Sequence, residues 1–268
     1  MTAKTLIPDT EKIARVGLTA KGVVYVLLGV LAFMASFGLN STSSEDTTKA
    51  GVFDFIYEQP AGTISLWGVT AGLVCYVIWR FIQAFNDSEN KGKDAKGFAI
   101  RARYLFSGLV YSSLAVESAR MLLFHQKDSG DNSQDMTQEL LSKPMGQWLV
   151  GIVALLLVGV GLYQIWYGLS EKYRTHVNKS VKADYKAVLL SSGKIGYIAR
   201  GVVWLLLSYI FLQAALTSNA SEAGDTSKAF RMLIHSSYGP YLLALIGMGL
   251  VCYGIFNFIR ARYEVIGK

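Results

Sequence analysis

A chain of 268 residues that is 52% hydrophobic and only 17% charged, with a mean hydropathy of +0.33, falls outside the soluble globular class and inside the membrane class. Its net charge of +7 would suit nucleic acid, but no aromatic or glycine pattern of a nucleic-acid module accompanies it, and its placement fits membrane topology. The two cysteines, Cys75 and Cys252, both fall in apolar runs without CxxC or Cys/His spacing, which gives a disulfide framework or a zinc site no support.

Residues 1–11 read as a polar tail. The chain then falls into six apolar runs: 14–38, 61–85, 104–124, 146–169, 195–217 and 240–260. Each is long enough to cross a hydrocarbon core of about 30 Å at about 1.5 Å per residue. In lipid a helix satisfies its own backbone, and the runs lack the two-residue alternation of a barrel strand, so six transmembrane helices are expected. The first run has no small-residue cleavage site behind it and reads as a retained helix rather than a signal peptide.

Inside each pair of runs lies a short amphipathic segment, 50–59, 137–143 and 228–235, with Asp46, Asp135 and Asp225 at the expected N-caps. These segments predict short helices on the outer face, with Phe53, Ile56, Leu140, Leu141, Phe230 and Leu233 turned toward lipid or protein. Pro60, Pro144 and Pro240 stand just before the second run of each pair, where a missing N–H removes no helical bond. The remaining connections are basic. Of the 26 Lys and Arg residues, all but Lys49, Arg120, Lys127, Lys143, Lys228 and Arg231 lie on one side, which by the positive-inside rule places both termini in the cytoplasm. The long linker 172–192 is basic enough to attract anionic headgroups, so the bilayer is the expected partner; nothing identifies a protein partner, and nucleic acid is not expected.

The stretch Arg15-Val-Gly-Leu-Thr-Ala-Lys-Gly-Val-Val-Tyr25 recurs as Lys194-Ile-Gly-Tyr-Ile-Ala-Arg-Gly-Val-Val-Trp204 and, more weakly, as Arg101-Ala-Arg-Tyr-Leu-Phe-Ser-Gly-Leu-Val-Tyr111. Gly72-Leu-Val-Cys-Tyr-Val-Ile-Trp79 recurs as Gly249-Leu-Val-Cys-Tyr-Gly-Ile-Phe256, with a looser copy at Gly161-Leu-Tyr-Gln-Ile-Trp166. The expected fold is therefore an all-α integral membrane protein of three tandem helical hairpins: repeat 1 at 12–86, repeat 2 at 98–171, the basic linker 172–192, and repeat 3 at 193–264. An even number of crossings per repeat inserts all three in the same sense, around a pseudo-threefold axis with a central seam.

This combination of motifs resembles domain of unknown function 1206. Repeats 1 and 3 fit the resemblance well, whereas repeat 2 departs from it, with Arg103 in place of the first glycine and Phe106-Ser107 in place of Ala-Lys. The resemblance implies a bacterial plasma-membrane protein and carries no established activity.

Residues that break the threefold pattern are the candidates for chemistry. Glu117, whose counterparts are Leu31 and Ile210, lies within an apolar run, and Arg120 is one helical turn along the same face. An ionisable group in lipid costs roughly 2.5–3.5 kcal/mol, so the pair reads as a pore or ion site, or as a structural ion pair near the interface. Gln164, Gln213 and Asn257 are weaker intramembrane candidates, of a kind that interhelical hydrogen bonds explain in most cases. Arg80 reads as an interfacial anchor, and Tyr25, Tyr111, Trp204, Tyr76, Tyr163 and Tyr253 as belt or packing aromatics rather than a ligand cage. His125, His176 and His235 lie outside the apolar runs, so neither a haem pair nor a metal site is expected, and no cofactor. No nucleophile–base constellation is present. The functional expectation is a non-catalytic structural, lipid-binding or partner-binding protein; the alternative is a small channel or transporter along the seam.

Overall fold

The computed structural model describes residues 10–39, 48–86, 92, 94–124, 132–143, 145–176 and 183–264. Its described residues form nine α-helices. The long ones are α1 (Thr10–Ser36), α3 (Gly62–Phe85), α4 (Ala95–Phe124), α6 (Gly146–Leu169), α7 (Ala183–Thr217) and α9 (Gly239–Tyr263). Three short ones interrupt the pairs: α2 (Lys49–Glu58), α5 (Asn132–Leu141) and α8 (Thr226–Ile234). Five helices (α1, α3, α6, α9 and the Val188–Thr217 part of α7) are long and apolar enough to cross a membrane, which makes this a multi-pass membrane protein. The sixth expected crossing, α4, has 30 residues but carries Arg101, Arg103, Glu117 and Arg120 and falls short of that apolarity.

The short helices turn inward. Val52, Phe53 and Ile56 of α2 join the main core, and Phe230 of α8 is fully buried. Leu140 and Leu141 of α5 pack on a smaller core around Val150, Ala214 and Ala215. All therefore face protein: α2 and α8 lie against both helices of their own hairpins, whereas α5 lies against α6 and the end of α7 in repeat 3. Asp225 caps α8 as the sequence predicts, accepting from Ser227 N at 2.9 Å and Lys228 N at 3.4 Å. The cap of α2 is instead Thr48, whose Oγ1 accepts from Gly51 N at 2.7 Å; Asp46 lies outside the described residues. Helix α5 starts at Asn132, which puts Asp135 in its first turn rather than at its cap. Pro240 opens α9 as expected, Pro60 stands two residues ahead of α3, and Pro144 is outside the described residues.

The long helices pack in the order α4–α3–α1–α9–α7–α6. All three junctions between consecutive repeats are thus formed: α3 with α4, α6 with α7, and α9 with α1. A shared device holds them. Arg15 donates to the carbonyls of Ala261 and Arg262 at the end of α9. Arg101, its counterpart, donates to Ala84 O at 2.7 Å and Phe85 O at 3.1 Å at the end of α3. Lys194, the third counterpart, stands 3.9 Å from Glu171 just beyond α6. Each cation meets a helix C-terminus, where carbonyls lack partners and the macrodipole is negative. Arg101→Ala is accordingly expected to cost about 1–2 kcal/mol, read as a lower thermal midpoint in detergent, while Arg120→Ala, exposed and off this junction, should cost less than half of that.

Within the repeats the symmetry fails once. Helices α1 and α3 are in contact, as are α7 and α9, but α4 and α6 share no packed interface among the described residues. The reason is local. A Cβ on Gly17 would stand 2.6 Å from Tyr76 Cα, and one on Gly196 would stand 2.6 Å from Tyr253 Cα, so both hairpins close only because these positions are glycine. Ala20 and Ala199 sit against Gly72 and Gly249 in the next turn. Repeat 2 has Arg103 and Phe106 at those positions, and Gly159, the counterpart of Gly72 and Gly249, has open space where its Cβ would be. Two bulky side chains hold this hairpin apart. The closed ring of three hairpins expected from the repeats is therefore a ring with one open side.

Candidate functional site: a tyrosine and cation cluster in the seam

Helix α1 turns Lys21 and, one turn later, Tyr25 toward the centre. Helix α3 contributes Tyr76 and Arg80, α4 contributes Tyr111, α7 Arg200 and α9 Tyr253. The close glycine contacts described above carry α3 and α9 onto α1 and α7 at the level of these tyrosines. Lys21 Nζ donates to Tyr76 Oη at 2.9 Å and lies 4.8–5.9 Å from the ring centroids of Tyr25, Tyr76, Tyr111 and Tyr253. Arg80 donates to the same hydroxyl through Nε at 2.8 Å and Nη2 at 2.6 Å, and to Gln83 Oε1 through Nη1 at 2.8 Å. Arg200 Nη1 donates to Tyr253 Oη at 2.5 Å, with its guanidinium 4.5 Å from that ring and 5.2 Å from Tyr25. From above, Lys49 at the start of α2 reaches within 5.7 Å of the Tyr25 ring and 5.5 Å of the Tyr111 ring. Tyr111 donates to Tyr25 Oη at 3.3 Å, and the rings of Tyr25 and Tyr253, and of Tyr76 and Tyr111, meet edge to face.

The electrostatics of this arrangement are one-sided. Lys21, Arg80, Tyr25, Tyr76, Tyr111 and Tyr253 are all buried, and Arg200 is half-buried. Among the described residues none of Lys21, Lys49, Arg80 and Arg200 is in a salt bridge, and Glu264, the buried acid of this region, is taken by Arg260 at 2.7 Å. The cations are compensated by aromatic faces, about 2 kcal/mol each when desolvated, and by hydroxyl oxygens. Of the five N–H donors of Arg200, the described contacts engage one. Such a cluster is complementary to an anion. It holds no group that suits a metal: among the described residues no three His, Cys, Asp or Glu side chains come together, and Cys75 and Cys252 are free thiols.

The pairing follows the repeat. Lys21 with Tyr76 and Arg200 with Tyr253 occupy the same two positions of repeats 1 and 3. In repeat 2 the cation position is Ser107, and the corresponding tyrosine, Tyr163, takes its hydrogen bond from Arg103 at 3.0 Å.

The candidates marked in the sequence are scattered. Glu117 is half-buried and Arg120 exposed, and among the described residues they form no salt bridge with each other. Gln164 is buried with Oε1 unbonded, while Asn257, fully buried, donates from Nδ2 to Tyr253 O at 2.6 Å and leaves Oδ1 unbonded. Gln213 donates to Tyr209 Oη at 2.9 Å. No hydrogen bond joins Gln164, Gln213 and Asn257 to one another.

Sequence alone assigns Lys21 and Arg200 to the basic interface, Arg80 to a helix end and the tyrosines to belt or packing roles. In the structure Lys21 and Arg80 are buried and Arg200 is half-buried, and four of the tyrosines pack around them. The signal available in the sequence was the recurrence of a cation at one register of two repeats, four residues before an aromatic and already inside the apolar run. His125 lies outside the described residues.

With this geometry in hand, comparison with known proteins extends the architecture rather than the chemistry. No solved structure matches the chain. It is similar to an uncharacterised protein of Bacillus subtilis (strain 168), YxxB, at 27% identity over 258 residues, covering 96% of this chain and 92% of that one. A family profile matches three times, at residues 16–87, 102–171 and 195–264, one match per hairpin, and the chain belongs to that family, the Domain of Unknown Function DUF1206.

Proposed function

We propose that this protein is a non-catalytic, multi-pass protein of the bacterial plasma membrane that binds an anionic group in its central seam, with both termini and the 172–192 linker on the cytoplasmic side. The supporting observation is the cluster itself: Lys21, Arg80, Arg200 and Lys49 gathered around four tyrosines, with no acidic partner among the described residues. Cations are costly to place within a bilayer, and a fold that groups several of them at one depth serves a ligand of opposite charge. The second reading, transport of a small anion along the seam, is favoured by the half exposure of Arg200, whose described contacts engage one of its five N–H donors.

The test is thermal unfolding of the purified protein in detergent against chloride, sulfate and phosphate. An oxoanion should raise the wild-type midpoint by several degrees, and Arg200→Gln should abolish the response while Arg120→Gln preserves it. Equal responses in the two variants would sink the reading. Proteoliposome flux then separates the two forms: anion flux lost in Arg200→Gln identifies a transporter, and binding without flux a receptor.

A further inference from the structure

We infer that the open side of repeat 2 is a lateral groove for an acidic phospholipid of the surrounding bilayer, its phosphate held by Arg103 and approached by Arg200, and an acyl chain lying over Gly159 between α4 and α6. This deepens the anionic-seam reading and rests on it for the role of Arg200.

Three independent features meet at this place. The first is shape. Arg103 and Phe106 stand where the other repeats have glycine and alanine, and the space beside Gly159 is open; among the described residues Arg103 bridges α4 to α6, donating to Tyr163 at 3.0 Å with its guanidinium 5.7 Å from that ring. The second is charge. Arg103 uses one N–H on Tyr163 and keeps an exposed fork suited to two phosphate oxygens, and Lys172 stands 3.9 Å over the Trp166 ring at the same end of α6. Glu171, the acid beside this mouth, is paired with Arg174 at 2.5 Å. The third is depth. Arg103 precedes the apolar run of α4, where lipid phosphates lie, and by the repeat register Arg200 is one turn deeper, about 6 Å. The walls beyond are apolar and exposed, with Phe106 at 51%, Ile152 at 52% and Leu155 at 67%. A free anion would gain nothing from such walls, whereas a phospholipid uses both the charge and the apolar surface.

Native mass spectrometry of the full-length protein, released from detergent containing phosphatidylglycerol, tests the inference, with a diacylglycerol of the same chains as the uncharged control. Wild type should retain one phosphatidylglycerol and no diacylglycerol. Gly159→Leu fills the groove without touching a charge and should lower phosphatidylglycerol occupancy at least tenfold; Arg103→Gly with Phe106→Ala, which restores the residues of repeats 1 and 3, should do the same by closing the hairpin. Occupancy unchanged in both variants, or equal retention of diacylglycerol, would overturn the groove. So would a wild-type dimer that Gly159→Leu converts to monomer, since a second copy would then be the occupant. Gly159→Leu leaves the seam cations intact, so the phosphate response in thermal unfolding should persist in it. A persisting response with unaffected lipid occupancy defeats the groove alone; an absent response in wild type, with lipid still lost in Gly159→Leu, defeats the free-anion reading alone.

Discussion

Tyr76→Phe is expected to be the most damaging single-atom change in this protein, lowering stability by about 3–5 kcal/mol. Its hydroxyl oxygen accepts from both Lys21 and Arg80. Hydrogen bonds to charged groups contribute about 1.5–3 kcal/mol each, and losing the acceptor leaves the buried Lys21 with aromatic faces alone and Arg80 with Gln83. Against a typical total of about 5–15 kcal/mol this is a large fraction. Tyr253→Phe removes one such bond, to a half-buried Arg200, and should cost about half as much. Tyr163→Phe breaks an exposed bond to Arg103 and should cost less than about 1 kcal/mol. Chemical or thermal unfolding in detergent gives the order directly; a Tyr163 variant as unstable as the Tyr76 variant would contradict the burial assigned to the cluster.

The second large effect carries a change of sign between repeats. Gly17→Ala and Gly196→Ala each drive a methyl group into the backbone of Tyr76 or Tyr253, atoms that cannot swing aside. Overpacking typically costs about 1–3 kcal/mol, and a clash with backbone belongs at the upper end of that range. Gly159→Ala meets nothing within 4 Å and should stabilise the protein by about 0.5–1 kcal/mol, since alanine loses less backbone entropy in a helix. One measurement series therefore distinguishes two closed hairpins from an open one. Destabilisation by Gly159→Ala comparable to that of Gly17→Ala would mean that α4 and α6 pack after all.

Much of the fold was legible because its determinants are local. Run length and composition mark each apolar helix, and self-similarity marks the repeat unit. Arg15, Arg101 and Lys194 share one register because all three serve one junction. Departures from the repeat were legible as well, but not their meaning. Arg103 and Phe106 read as sequence divergence, and only the contact of Gly17 with the Tyr76 backbone shows that they replace the residues on which hairpin closure depends. Intramembrane charge drew attention to Glu117 and away from Lys21, because a lysine near the start of an apolar run can snorkel to the interface from many orientations.

What the sequence determined by itself, then, was the class, the helices, the triplication and the side on which the basic connections gather. All of these follow from hydropathy and periodicity along one dimension. The tertiary structure alone decided which faces meet. Lys21 is enclosed by side chains of α1, α3, α4 and α9, residues up to 232 positions away along the chain, and no local pattern states that four helices will turn their tyrosines to one point. The open side of repeat 2 was decided in the same way, by whether two backbones could approach, a condition that depends on both partners at once.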